Sequence, residues 1–214
     1  MMQSTAAVRR DDSAPEADEP LFSSAHAALT FAYNHTMQAY DAPTMVRILN
    51  DARATGKGLG GIDGAGQAGF IKGAVKELPR LYQAMLVARF APRDADCPCC
   101  RGKVDNLDWL AAIREISDAA AAQALSGHIT ARVLRDAIVA RYYGKKVLLA
   151  AAADRAGVSA DTATRQNAAI VRWLRGTRTT RLKGGEQGDG IRGEDDKAMD
   201  AISAILGAMQ LFRT

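Results

Sequence analysis

Two helical runs separated by one short turn make up the segment 147–175, and this pattern constrains the fold more than any other feature of the sequence. The first run is rich in alanine and stops at Gly157, a residue type that tolerates the left-handed conformation found just past a helix end. Ser159 is placed to cap the second run by accepting a backbone N–H. Small side chains on the first run allow the two helices to approach closely, at Ala152, Ala153 and Ala156. The pattern predicts a helix-turn-helix, whose second helix enters the major groove of DNA.

The helical period divides the second run into an outward and an inward face. We expect the outward face to hold Ser159, Ala160, Asp161, Thr164, Arg165, Ala168 and Arg172. We expect the inward face to hold Val158, Ala163, Ile170 and Leu174. Because arginine donates paired hydrogen bonds to guanine and threonine offers a hydroxyl and a methyl group, we predict that Thr164 and Arg165 read bases. The complete predicted DNA-binding set is Lys145, Lys146, Ser159, Thr162, Thr164, Arg165, Arg172 and Arg175.

Charge favours DNA binding over the alternative interpretation of this segment, a helical hairpin inside an ordinary all-α core. Between residues 129 and 183 the chain carries twelve Lys or Arg and three acidic residues, a local balance of +9. The whole chain has 28 basic and 24 acidic residues, so the residues outside that window carry a net charge of −5. A phosphate backbone attracts a segment in which positive charge is concentrated, as it is here. DNA binding of this kind weakens steeply as the salt concentration rises.

Composition predicts a cytoplasmic protein built from one or two small domains. The chain has 214 residues, 48% of them hydrophobic, and no apolar run approaches the length that spans a bilayer. Arg9, Arg10 and Asp11 interrupt the N-terminus early, so it lacks the pattern of a signal peptide. The three cysteines lie in one cluster, which argues against a secreted disulfide scaffold.

The start of the chain predicts a tail followed by helices. Residues 1–20 are polar, charged and proline-bearing, and we expect a disordered tail there. Residues 21–92 form an N-terminal helical region, whose first helix is predicted to follow a cap at Ser23 or Ser24. A second helix is predicted over 43–54.

Glycines are densest between residues 56 and 69. The GxGxxG spacing of Gly64 to Gly69 matches a dinucleotide fingerprint, but no β-branched strand precedes it, so nucleotide binding is rejected. We expect a loop instead. A core helix should follow it, beginning at a cap, Asp63, and continuing to Phe90 with a kink at Pro79.

All three cysteines of the chain lie in the turn predicted at 93–106: Cys97, Cys99 and Cys100. The CxxC spacing is typical of half a zinc knuckle, in which two thiolates from one tight turn hold the metal. A structural zinc ion takes four ligands, and the sequence leaves the fourth open between Asp94, Asp96, His128 and another chain. The alternatives to structural zinc are thiols without a metal and a redox dithiol, although no thioredoxin-like βαβ pattern is present.

The C-terminal half predicts a DNA-binding domain, a linker and a last helix. The DNA-binding domain covers 107–176, and the linker at 177–193 is rich in glycine, which predicts flexibility and a wide reach. The segment 194–214 carries an amphipathic helix whose apolar stripe contains Met199, Ile202, Ile205, Leu206, Met209 and Phe212. A helix that only completed its own core would not need such a tether, so we expect this helix to dock on a partner, either a second copy of the chain or RNA polymerase.

Three stretches of the chain resemble region 4 of sigma factors. They are Leu134-x-x-x-Ile138-x-x-Arg141-Tyr-Tyr-Gly, Leu149-Ala-x-x-Ala153-x-x-Ala156-Gly-Val-Ser-x-x-Thr162-Ala, and Ile170-Val-x-Trp-Leu174. The sequence departs from that pattern at Asn167, where the family has an apolar residue. Such a module downstream of a cysteine turn also resembles, in architecture, the Q antitermination proteins of lambdoid phages. This resemblance implies an all-α fold, binding to DNA near a late promoter, and RNA polymerase as a partner.

The sequence therefore predicts an all-α helical bundle with a C-terminal sigma region 4-like helix-turn-helix and a small cysteine turn. We predict that the protein regulates transcription by binding a specific sequence of double-stranded DNA. The resemblance implies that this regulation is phage antitermination. The alternative is a DNA-binding packaging protein such as a small terminase subunit, which would assemble as a ring. We do not expect an enzyme, because the sequence has no paired carboxylates beside a histidine, no Ser-His-Asp set and no metal-binding histidine pair. We expect no membrane partner.

Overall fold

The computed structural model describes residues 20–35, 61–100, 102–127, 130–177, 180–181, 187–188 and 190–212. Helices dominate this part of the chain: α1 (Ala25–Asn34), α2 (Gly61–Lys76), α3 (Arg80–Phe90), α4 (Leu107–Gln123), α5 (Arg132–Tyr142), α6 (Leu149–Ala156), α7 (Ala160–Arg175) and α8 (Glu194–Ala208). Two short antiparallel hairpins join β1 (Asp94–Asp96) to β2 (Lys103–Asp105) and β3 (Thr180–Arg181) to β4 (Gln187–Gly188). The predicted all-α class is confirmed. None of the described helices combines the length and the hydropathy needed to cross a bilayer.

Side chains that cap helices explain where α1 and α4 begin. The Ser24 hydroxyl accepts a hydrogen bond from the Ala27 backbone N–H at 3.2 Å, as the sequence predicted. The Asn106 side chain accepts from the Asp108 N–H at 2.9 Å, which starts α4. The helix predicted over 43–54 and the predicted tail, apart from Pro20, lie outside the described residues.

The continuous helix predicted from Asp63 to Phe90 is wrong. The helix begins at Gly61, ends at Lys76 and is followed by a separate helix after Pro79. Pro79 has extended backbone angles (φ −53°, ψ 145°) and precedes the first residue of α3, so it separates two helices rather than bending one. The Gln83 side chain donates to the carbonyls of Lys76 (3.0 Å) and Leu78 (2.7 Å), which the break leaves without helical partners.

Two hydrophobic clusters form the core, and α3 contributes to both. The first cluster joins α3, α4, α5, α6 and α7 around Trp109, Ile116, Ile138 and Leu174, all fully buried. The Trp109 indole donates to the Ala88 carbonyl at 3.0 Å, so its one polar group is satisfied. The second cluster joins α1, α2 and α8 around Leu29, Ile71, Ile202 and Leu206. In α3, Met85 belongs to the first cluster and Leu86 to the second.

Most of the apolar stripe of the C-terminal helix packs against the chain itself, and Met209 is the stripe residue that stays exposed. The expectation that the stripe docks on a partner instead of completing its own core is therefore wrong. Ile202 and Leu206 have no exposed surface and lie in the second cluster. Ala198, one turn earlier, joins the first cluster. The helix α8 contacts α1, α2, α3 and α7. It therefore completes the core of the described fold.

The two ends of the predicted linker are joined, which places α8 directly beside the end of α7. Gly176 pairs with Arg192 in an antiparallel bridge, and the Thr177 N–H donates to the Ile191 carbonyl at 2.8 Å. A Cβ atom on Gly176 would collide with the Ile191 carbonyl, and one on Gly193 would collide with the Leu174 carbonyl. These two glycines therefore allow two backbone segments to approach closely, so they do not act as flexible spacers.

A buried carboxylate ties the start of α8 to α3 and α5. Asp195 forms an ion pair with Arg89 at 2.9 Å and accepts hydrogen bonds from the hydroxyls of Tyr142 (3.3 Å) and Tyr143 (3.2 Å). Burial raises the pKa of Asp195 above its ordinary value of 3.8, and the Arg89 guanidinium and the two hydroxyls oppose that shift. The network therefore links the first turn of α8 to α3 and to the end of α5.

Candidate functional site

The helix pair α6 and α7 is joined by the turn that the sequence predicted. Gly157 ends α6 in the left-handed region, with φ +64°, and its N–H donates to the Asp154 carbonyl at 3.1 Å. The Val158 N–H donates to the Ala153 carbonyl at 3.0 Å, which closes the turn. The Ser159 hydroxyl accepts from the Thr162 N–H at 3.3 Å and caps α7. The predicted Gly157 end and the predicted Ser159 cap are both confirmed.

The inward face of α7 is the predicted one. Ala163, Ile170 and Leu174 are buried in the first cluster, and Val158 is half-buried against it. On α6, Ala152 and Ala153 are also buried there. The small side chains of both helices therefore lie at the contact with α5, where they allow the three helices to approach closely.

The outward face of α7 forms one continuous exposed stripe, and the prediction for these residues is confirmed. Exposed positions recur every three or four residues, at Asp161, Thr164, Arg165, Ala168, Arg172 and Arg175. Asn167, which departs from the sigma-factor pattern, lies half-buried beside the stripe. Half of these six side chains are short, and the other three are arginines that project beyond them. Such a surface lets a groove approach the helix backbone closely.

The predicted base readers make hydrogen bonds within their own helix. Arg165 pairs with Asp161 at 2.6 Å, and its side chain is 80% exposed. The Thr164 hydroxyl donates to the Ala160 carbonyl at 2.8 Å, and the hydroxyls of Thr162 and Ser159 lie 2.9 Å apart. An exposed ion pair of this kind contributes at most about 1 kcal/mol. The Arg165 guanidinium can therefore exchange Asp161 for another partner at low cost.

The two predicted phosphate-binding lysines have different surroundings. Lys145 forms an ion pair with Asp105 at 2.6 Å, and its ammonium lies 5.6 Å from the ring centre of Trp109. Lys146 is exposed, and it has no ion-pair partner among the described residues. At the far end of α7, Arg172 is exposed, and Arg175 lies 6.0 Å from the Tyr142 ring. The structure therefore leaves Lys146, Arg172 and Arg175 at the surface and uses Lys145 in a contact between segments.

Part of the positive charge that the sequence assigns to this region stabilises the fold. Arg135 is buried, and its guanidinium donates to the carbonyls of Ser117 (3.3 Å) and Thr130 (2.7 Å). Arg132 pairs with Asp118 at 2.7 Å. The net charge of a segment therefore overestimates the charge that its surface offers to a ligand.

The three cysteines lie at the tip of the β1–β2 hairpin, which we call the cysteine hairpin (94–105). Its strands pair Asp94 with Asp105 and Asp96 with Lys103, and the Cys97 N–H donates to the Gly102 carbonyl at 2.7 Å across the turn. The three thiol sulfurs all lie within 4.8 Å of one another. This geometry can hold a metal ion.

A hydrogen bond between two of the thiols shifts their pKa values in opposite directions. The Sγ atoms of Cys97 and Cys99 are 2.9 Å apart. Hydrogen bonds from the Cys99 thiol and from the backbone lower the pKa of Cys97 to about 7, and the same thiol–thiol bond raises the pKa of Cys99. A thiolate, not a thiol, binds metals. Cys97 therefore offers a metal-binding thiolate at a lower pH than Cys99.

The cluster has no fourth protein ligand among the described residues. Asp94 and Asp96, two of the candidates from the sequence, do not belong to the group of metal-binding atoms. The Asp96 carboxylate instead accepts from Lys103 at 2.6 Å. His128 lies outside the described residues.

Sequence reasoning missed how the cysteine hairpin is attached to the rest of the fold. At its base, Asp105 pairs with Lys145, and the Arg93 guanidinium donates to the Gly144 carbonyl at 3.0 Å. Each contact joins residues at least forty positions apart. No local pattern in the sequence carries a signal for such a pair.

Comparisons with known proteins identify no relative of this chain. It matches no protein-family model, no curated protein and no solved structure. Its function therefore has to be inferred from the geometry and chemistry of its own residues.

Proposed function

We propose that the protein is a sequence-specific regulator of transcription that binds double-stranded DNA, with α6, the turn and α7 acting as a helix-turn-helix. The observation that carries the proposal is the exposed stripe of α7, which presents Thr164, Arg165 and Arg172 while the opposite face is buried. A major groove admits one α-helix, and an arginine there can donate two hydrogen bonds to guanine. In a helix-turn-helix, the N-terminal residues of the second helix contact the base edges in the major groove, and Thr164 and Arg165 lie in that part of α7.

In this proposal, phosphate groups on either side of the groove are bound by charges that the structure leaves exposed. Lys146 precedes α6, and Arg172 and Arg175 lie at the end of α7. Ser159 and Thr162 lie at the N-terminus of α7, where hydroxyls and backbone N–H groups also suit a phosphate. Lys145 also belongs to the phosphate-binding set predicted from the sequence. In the structure its ammonium forms an ion pair with Asp105, so it is less available to a phosphate than Lys146.

The proposal is tested by selecting a preferred DNA site from a random library and then comparing variants on the selected and random duplexes. Arg165→Ala should cost about 1–3 kcal/mol on the selected site and relax the choice of base at one position. Lys146→Ala should weaken all duplexes alike and reduce the salt slope by about one unit. The matched control is Arg114→Ala, which removes an exposed arginine from α4 and should change neither quantity. If Arg165→Ala weakens selected and random DNA equally, α7 does not read bases.

The resemblance to sigma region 4 and to the Q proteins supports RNA polymerase as a partner and antitermination as the form of regulation. Co-sedimentation of the chain with polymerase on the selected DNA tests this part. A ring of many subunits that binds DNA without polymerase would instead favour a packaging role.

We also propose that the cysteine hairpin holds one structural zinc ion through Cys97, Cys99 and Cys100. The support is the grouping of three sulfurs within 4.8 Å, since thiolates are preferred zinc ligands. Elemental analysis of protein purified without a chelator should find about one zinc per chain, because structural zinc binds too tightly to be lost. Less than about a tenth of an equivalent would contradict the proposal.

A further inference from the structure

The base of the cysteine hairpin clasps the segment that leads into the proposed DNA-binding helices. Lys145 pairs with Asp105 of β2, and Gly144 accepts a hydrogen bond from Arg93, which precedes β1. Gly144 has φ +87°, and a Cβ atom there would lie 2.6 Å from the Arg93 guanidinium. The contact is therefore close as well as polar. We call these two contacts the clasp.

The clasped segment is short and is followed by the proposed DNA-binding elements. It joins α5, which ends at Tyr142, to α6, which begins at Leu149. Lys146, the proposed phosphate contact, directly follows the clasped Lys145. The segment is also held from the helical side, because the Lys145 N–H donates to the Ala140 carbonyl at 2.9 Å and Val147 packs against the first cluster, whereas Leu148 is 78% exposed. The clasp adds the contacts that join residues 144 and 145 to the base of the hairpin.

The hairpin itself has little else to hold its shape. Its strands have three residues each, and their side chains are mostly exposed. An isolated two-stranded hairpin is only marginally stable in water. Metal bonds from three cysteines in the tip would order the tip and, through the paired strands, the position of Asp105.

We propose that metal loading of the cysteine hairpin raises the DNA affinity of α6 and α7 through the clasp, so that the chain is a metal-responsive DNA-binding protein. The proposal rests on the DNA-binding function proposed above. Binding of a thiophilic divalent ion releases the remaining thiol protons and leaves three sulfur–metal bonds. Asp105 is then held on Lys145, and the link carrying Lys146 is held in one position. By linkage, DNA must raise the metal affinity by the same factor as the metal raises the DNA affinity.

The experiment uses the full chain, zinc as the metal probe and a duplex selected from the random library. Asp105→Asn breaks the ion pair of the clasp without touching a cysteine, and it leaves the hydrogen bond from Arg93 to Gly144 in place. Asp94→Asn is the matched control, since it removes the same charge at the same end of the hairpin, where Asp94 has no ion pair among the described residues. Cobalt absorption confirms that all three proteins bind metal.

Zinc should raise the DNA affinity of the wild type and of Asp94→Asn about tenfold, a size typical of coupling between two sites. It should change the DNA affinity of Asp105→Asn by less than about twofold. An equal zinc effect in Asp105→Asn and the wild type would overturn the proposal, and so would a wild type that fails to bind zinc or shows no zinc effect on DNA affinity.

Hydrogen exchange of the backbone amides at 144–149, measured without DNA, separates this proposal from the DNA-binding function. Zinc should slow exchange there in the wild type and in Asp94→Asn but not in Asp105→Asn. If exchange follows this pattern and no duplex is bound, the coupling of the hairpin to residues 144–149 stands, whereas the DNA-binding function and the zinc effect on DNA affinity are wrong. If zinc binds and exchange at 144–149 is unchanged in the wild type, the coupling is wrong whatever the DNA result.

Discussion

Truncating one side chain of α8 tests whether that helix belongs to the core of this chain. Ile202 has no exposed surface and lies in the cluster formed by α1, α2 and α8. Ile202→Ala removes three buried carbon groups, each worth about 0.8 kcal/mol. The cavity left behind adds to that loss, so we expect a cost of about 3–4 kcal/mol, within the range of about 2–5 kcal/mol for such changes.

The matched control is Ile191→Ala, the same truncation at a side chain that is 70% exposed. It should change the free energy of unfolding by no more than about 0.5 kcal/mol. For a chain of this length, each kcal/mol shifts the melting temperature by about 2–4 °C. Ile202→Ala should therefore melt about 6–16 °C below the wild type.

Thermal unfolding followed by circular dichroism measures the shift, and urea titration measures the free energy directly. Analytical ultracentrifugation of the same variants shows whether assembly changes. If Ile202→Ala melts with the wild type and instead alters self-association, the apolar stripe of α8 covers a partner and the intramolecular packing is wrong.

Four further substitutions test the turn between α6 and α7, the exposed face of α2 and the network around Asp195. Gly157→Ala should lower the free energy of unfolding by about 1 kcal/mol, because φ is positive there. Gly73→Ala should instead raise it by up to about 1 kcal/mol, since a Cβ at that helical position meets no described atom. Ser159→Ala should cost about 1 kcal/mol through loss of the cap on α7. Urea titration measures all three, and a loss at Gly73 as large as that at Gly157 would contradict the assignment of backbone strain. For Asp195, whose pKa is raised in the folded state, the unfolded chain ionises first as pH rises above 3.8, so the stability of the wild type relative to Asp195→Asn should fall with rising pH from that point. A gap that widens in favour of the wild type as pH rises would show that the pair with Arg89 outweighs burial.

Local patterns in the sequence were sufficient to predict the proposed DNA-binding helices. A glycine that can take positive φ and a serine that can cap a helix act within four residues of the turn, and both do so in the structure. The helical period then separates the buried Ala163 and Ile170 from the exposed Arg165. These predictions succeeded because the forces behind them act between residues that are neighbours in the chain.

Glycine and proline were harder to interpret, because each has more than one structural use. The glycines after α7 predict a flexible tether, but Gly176 and Gly193 allow two backbone segments to meet. The position of Pro79 predicts a bend within one helix, but the residue separates two helices. The choice in each case depends on what lies opposite the residue in space, and the sequence does not contain that information locally.

The sequence by itself determined the all-α class, the turn between α6 and α7, and the clustering of the three cysteines. Tertiary structure alone decided that α8 packs into its own core, that Asp94 and Asp96 lie outside the sulfur group, and that Lys145 pairs with Asp105. A charge counted from the sequence has no partner until the chain folds. Folding brings Lys145 to a carboxylate forty positions away, and it thereby changes the lysine from a free surface charge into a link between the cysteine hairpin and the helices.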